Sequence, residues 1–118
     1  MDNLKNKKFL ERVLRFVDSI LNLVNKLPKN IINVSLIKQI INSGTSVGAN
    51  YHEACEAESS KDFTHKLKIA KKELRETRYW LRLLYKQNKE FKEEITCLGK
   101  ESTELIKIFA TIVTKFRS

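Results

Sequence analysis

The sequence predicts an all-α protein, an antiparallel up-down-up-down four-helix bundle. Three observations predict it. Turn-makers are scarce, with 3 Gly and 1 Pro in 118 residues, so a strand-rich fold has too few turns. Apolar residues recur at helical spacing in four successive blocks. The connections between the blocks are short, which makes sequential neighbours antiparallel. At this length the chain fits a single domain, 1–118, with one modest core.

The first helix is expected over about residues 3–27. Leu10, Leu14, Val17, Leu21 and Val24 step by 4-3-4-3, and Val13, Phe16, Ile20, Leu23 and Leu27 widen the stripe. Pro28 ends it, since proline cannot continue the hydrogen-bond ladder. The second helix is expected over 32–57, with Ser35 as its N-cap. Gly44 and Gly48 share a face at i,i+4. Each costs about 1 kcal/mol of helix propensity relative to Ala. The apolar period continues through them, so the expectation is an unbroken helix with another backbone approaching closely there. The alternative is a break at Ser43-Gly44-Thr45.

Glu58-Ser59-Ser60 reads as a loop whose serines can cap the third helix, with Asp62 suited to its positive end. That helix is expected over 60–88 and the fourth over 91–116. The fourth carries the heptad Phe91, Ile95, Leu98, Ser102, Leu105, Phe109, Ile112, Phe116, with Gly99 at a bend or a tight contact. A 3.5-residue period on both helices fits left-handed, coiled-coil-like packing.

Charge is the informative departure from an ordinary bundle. The chain has net charge +9 and a pI near 9.7. Between Lys61 and Lys92 lie 11 Lys and Arg against 4 acids, so this window holds +7 of the total. The same window runs the heptad Phe63, Leu67, Ala70, Leu74, Thr77, Leu81, Leu84. Advancing about 100° per residue, Lys61, Lys68, Lys72, Arg75, Arg82 and Lys86 fall within about 80° of one another, opposite that heptad. Lys71 and Arg78 flank them, and Tyr79 projects into the same stripe. Cations along one line plus an aromatic ring are the parts of a phosphate-contacting surface. Nothing in the pattern supports reading of base sequence. Against this stands a plain solvated lysine-rich face, with Glu73 and Glu76 giving some i,i+4 pairing.

Catalytic candidates are thin. His52 and Glu56 sit at i,i+4, but a metal bundle needs further carboxylate and His motifs on other helices. Cys55 lies three residues from His52, yet nothing supplies an orienting group or an oxyanion hole, and a small buried hydrophobe is the simpler reading. Glu53, Glu56 and Glu58 read as a solvated helix end. The expectation is a protein that is not an enzyme and uses no metal or cofactor. Cys55 and Cys97 lack metal or CxxC spacing, which fits reduced thiols in the cytoplasm. The polar start Met1-Asp2-Asn3-Leu4-Lys5 does not read as a signal peptide, and no apolar run reaches membrane-spanning length.

Apolar residues exceed what one core requires. The first helix has two apolar stripes, and Ile69 and Trp80 lie outside the main heptad of the third. Extra apolar faces point to contact between subunits.

The segment Ile40 to Ala54 (IINSGTSVGANYHEA), then Ser60-Lys61-Asp62-Phe63, then Lys72 to Leu81 (KELRETRYWL) resembles the bundle proteins encoded in 23S rRNA intervening sequences. The match covers the second and third helices; the first and fourth match in length and amphipathicity. The resemblance implies a ring-like homopentamer. It also implies kinship with the accessory variability protein of diversity-generating retroelements, a basic pentamer that binds its reverse transcriptase and nucleic acid. It recasts Asn50, Glu53 and Glu76 as a structural polar contact between the second and third helices or between subunits. Tyr51 and His52 stand where the family commonly has small or aliphatic residues. The expected function is non-specific binding of RNA or DNA, with the resemblance implying an accessory role to a reverse transcriptase or an rRNA element. The competing expectation is a scaffold that docks an acidic protein partner.

Overall fold

A computed structural model describes residues 3–116, with side chains from Lys7 onward; Met1 and Asp2 of the polar start lie outside the described residues. The described residues form four helices and one 3-10 turn: α1 Asn3–Lys26, α2 Ile31–Cys55, α3 Ser60–Gln87, the 3-10 turn Lys89–Phe91, and α4 Lys92–Lys115. There is no strand among the described residues. Among the described residues no helix is long and apolar enough to cross a membrane.

The helix ends follow from local chemistry. Beyond α1, the Lys29 ammonium donates to the carbonyls of Val24 (3.0 Å) and Leu27, which satisfies acceptors that the helix end leaves open. The N-cap of α2 is Asn30, whose side chain accepts from the Asn33 amide at 2.8 Å. The expectation of Ser35 as cap is corrected: Ser35 lies inside the helix and is exposed. Asn30 wins because it is the first residue beyond the proline with a side-chain acceptor in reach of a free amide. Ser59 caps α3 by accepting from the Asp62 amide at 3.1 Å.

Helix α2 runs unbroken through both glycines. Added Cβ atoms would stand 3.5 Å from Ile20 at Gly44, and 3.3 Å from Val17 and 3.6 Å from Leu14 at Gly48. The glycines therefore let α1 lie close against α2, and the packing offsets their low propensity. Gly99 differs: a Cβ there would meet nothing within 4 Å, so the expected tight contact does not exist.

Each helix backbone packs against two neighbours, in the cyclic order α1, α2, α3, α4. On α3, Leu67, Ala70, Leu74, Thr77, Leu81 and Leu84 are buried, and Phe63 is half-buried against Phe116 at 5.2 Å. Residues Ile95, Leu98, Ser102, Leu105 and Phe109 bury the matching face of α4. On α1, Val13, Phe16, Ile20 and Leu23 enter the core together with Leu27 just beyond the helix end; of the second stripe, Val17 and Val24 are buried while Leu14 and Leu21 stay exposed. Phe9, Tyr51 and Phe109 close one end of the core, with ring centroids 5.2–5.7 Å apart. Burial pushes the Tyr51 phenol up, so it stays neutral.

The other end of the core is closed by a buried amide pair. Asn33 donates to Asn88 at 2.7 Å, and Asn88 donates back at 3.0 Å. Asn33 also donates to the Pro28 carbonyl, and Asn88 to that of Leu84. Both side chains are thus satisfied at the α1–α2 and α3–α4 connections, as buried polar groups must be.

Candidate nucleic-acid interface

With the heptad of α3 turned into the core, the opposite side of that 28-residue helix is left to solvent. Lys61, Lys68, Lys72, Arg75, Arg78, Arg82 and Lys86 are exposed, and Lys71 is half-buried at the margin. Tyr79 is 54% exposed in the middle of this row. Its ring meets that of Trp80 at 5.0 Å and 64°, so the half-buried indole supports it from one side.

Ion pairing does not consume the row. The ion pairs among the described residues are Arg12–Glu101 at 2.7 Å, Lys26–Glu94, Lys66–Glu53 at 3.1 Å and Lys107–Glu104 at 3.6 Å. Three of the four tie helix to helix; none uses a cation of the α3 row. Arg78 donates to Thr103 on α4 at 3.4 Å, a long bond that leaves its charge uncompensated. At the far end of α3, the Lys92 ammonium lies 5.9 Å from the centre of the Tyr85 ring.

The acids of α3 sit to one side. Burial pushes the Glu73 carboxyl up, and Glu76 beside it adds to the effect while Lys72 opposes it. Glu76 is exposed. Of Asn50, Glu53 and Glu76, only Glu53 bridges α2 and α3, through Lys66. Asn50 donates back to the Ser46 carbonyl of its own helix at 2.9 Å. Within one chain the three side chains do not join one another.

His52, Glu53, Glu56, Glu58, Asp62 and Lys66 line an open cleft where α2 hands over to α3. Among the described residues no three His, Cys, Asp or Glu side chains converge as metal ligands would. The Cys55 thiol is half-buried, and burial pushes it up, which withholds the thiolate a nucleophile needs. Cys97 is exposed, and both thiols are free.

Sequence reasoning missed two features. The Asn33–Asn88 pair gave no signal, because two lone asparagines 55 positions apart carry no periodicity. The exposed apolar residues at the start of α2 are Ile31 (88% exposed), which fell outside the expected range, and Ile32 and Val34, which fell inside it but off the apolar period.

The fold and this surface together define an all-α four-helix bundle with one strongly cationic outer face. The model of the 23S rRNA-intervening sequence protein family matches residues 5–111, and the chain belongs to that family. It is also similar to a crystal structure of a protein of unknown function from the S23 ribosomal protein family of Bacteroides thetaiotaomicron VPI-5482. The two are 38% identical, with a TM-score of 0.77 over 88% of this chain and 96% of that one. No curated protein matches the chain.

Proposed function

We propose that this protein is a non-enzymatic bundle that binds nucleic acid, RNA or DNA, through the outer face of α3 and without sequence preference. The observation that carries the reading is the row from Lys61 to Lys86: exposed cations on one face, none of them in an ion pair among the described residues. A surface that leaves so many like charges together is destabilised by their repulsion and relieved by a polyanion.

Two finer points of architecture belong to the same proposal. The bundle is antiparallel up-down-up-down, a reading supported by pairs that run in opposite senses. These are Arg12–Glu101 with Lys26–Glu94 for α1 and α4, and Ser43–Thr77 with Glu53–Lys66 for α2 and α3. The chain self-associates, as exposed Leu14, Leu21, Ile31, Ile32 and Val34 support; a ring-like homopentamer rests on the family resemblance. Repetition of α3 around such a ring multiplies the cationic face and strengthens binding by avidity. Free thiols at Cys55 and Cys97 fit the reducing cytoplasm.

Filter binding with labelled RNA and single-stranded DNA tests the reading. If five cations each contact a phosphate of a single strand, log affinity falls with log salt at a slope of about −3.5. Raising salt from about 50 to about 200 mM then weakens binding about 100-fold. The quadruple variant Lys68→Glu, Lys72→Glu, Arg75→Glu, Arg82→Glu abolishes binding and keeps the helical circular dichroism of the parent. Absence of binding at the lower salt overturns the proposal. Capture of a protein partner in nuclease-treated lysate, with no nucleic-acid affinity, favours instead docking of an acidic protein such as a reverse transcriptase.

A further inference from the structure

We infer that the α3 face selects single-stranded over duplex nucleic acid, with Tyr79 stacking on an unpaired base. This deepens the nucleic-acid reading above and rests on it. Within the cationic face, Lys68, Lys72, Arg75, Tyr79, Arg82 and Lys86 follow one another by 4, 3, 4, 3 and 4 residues, all exposed. That alternation keeps a row nearly parallel to the helix axis. Successive members are about 4.5 or 6 Å apart along the axis, and the row spans about 27 Å.

A duplex fits this row poorly. Along one duplex strand the phosphates advance only about 3.4 Å each, and the strand winds once around in roughly 34–36 Å. Over the span of the row it turns through about three quarters of a circle, so a straight helix meets only a short arc of phosphates. A single strand is free to extend, and its backbone can follow the row from end to end.

Tyr79 gives the second observation. It is the only uncharged member of the row, it is central, and cations flank it on both sides: Arg75 one turn before and Arg82 one turn after. The residue is 54% exposed and yet its ring is held from one side by a neighbour, Trp80 at 5.0 Å. A ring fixed between phosphate contacts is a platform for a base, and every base presents a π-face only when it is unstacked from its strand neighbours. Base stacking of this kind changes affinity by roughly 5- to 150-fold per base.

The test uses fluorescence anisotropy on the full chain. Three labelled probes are compared at one salt concentration: a uridine oligomer, a thymidine oligomer and a hairpin duplex of matched phosphate number. The expected result is at least about tenfold tighter binding to the oligomers than to the duplex. Tyr79→Ala weakens oligomer binding about tenfold, leaves duplex binding within twofold, and does not change the salt slope, because no charge is lost. Tyr79→Phe retains the parent affinity, which separates stacking from a hydroxyl contact. The uridine and thymidine arms show whether RNA or DNA is the better ligand. Equal or tighter duplex binding overturns the inference, as does a Tyr79→Ala variant that binds the oligomers like the parent; both leave the nucleic-acid reading standing. Absence of binding of the parent chain to all three probes overturns both.

Discussion

The three glycines form a test of how closely α1 and α2 approach, because alanine at each meets a different neighbourhood. At Gly99 an added Cβ meets nothing within 4 Å, so the whole helix-propensity gain is available, about 1 kcal/mol. At Gly44 the nearest atom is Ile20 Cγ2 at 3.5 Å, an ordinary van der Waals distance; the gain is kept and a little apolar contact is added. At Gly48 the Cβ falls 3.3 Å from Val17 Cγ2 and 3.6 Å from Leu14 Cδ2. Val17 is β-branched, with few rotamers to yield into, so the crowding offsets most or all of the gain. For a chain of this size, 1 kcal/mol corresponds to a Tm change of about 4 °C. Thermal denaturation should therefore rank the variants Gly99→Ala and Gly44→Ala above the parent by about 3–4 °C, with Gly48→Ala at or below it. Gly48→Leu should fall well below. A Gly48→Ala variant as stable as Gly99→Ala would refute the close approach of α1 to α2.

Two further predictions follow from buried and half-buried polar groups. Asn88→Ala strips the Asn33 side-chain oxygen of its donor in a site with no exposure, and should cost about 1–3 kcal/mol in urea denaturation. Asn33→Ala placed on top should cost much less than it does alone, and strict additivity of the two would show that the pair does not act as one unit. Glu73 is the case for pH. Its folded carboxyl is raised by burial first and by Glu76 second, so the folded chain holds this proton to higher pH than the unfolded chain. Ionisation of Glu73 therefore subtracts stability as pH rises from the ordinary glutamate range through the raised value. Glu73→Gln should raise Tm at pH 7 and change it little at about pH 3.5, where both states are protonated. A gain of equal size at both values would point to something other than charge.

The cationic row and the core face of α3 were legible in the linear sequence for one reason: a helix of fixed pitch turns spacing directly into angle. Phe63 to Leu84 had to share one side, and Lys61 to Lys86 had to share the other. The uninterrupted course of α2 was legible on the same ground, since the apolar period runs through Gly44 and Gly48. The cap at Asn30 was missed because the exposed Ile31 and Ile32 break the period at the helix start and so hide it. The Asn50, Glu53 and Glu76 grouping came from resemblance; in the structure Asn50 turns back to its own helix, Glu53 pairs with Lys66, and Glu76 is exposed.

Helical class, the four elements and the gathering of positive charge on α3 are thus consequences of local spacing, because each depends only on the pitch of one helix. Tertiary structure decided the rest. It rotated α1 so that Val13, Phe16 and Ile20 of one apolar stripe are buried, while the other stripe is split, with Val17 and Val24 buried and Leu14 and Leu21 partly exposed. It paired Asn33 with Asn88 across the end of the bundle, and it took Glu53 to Lys66 while leaving the cations from Lys68 to Lys86 out of any ion pair among the described residues. Each of these depends on how one helix is rotated against its neighbours, and that rotation is set by packing all four faces at once.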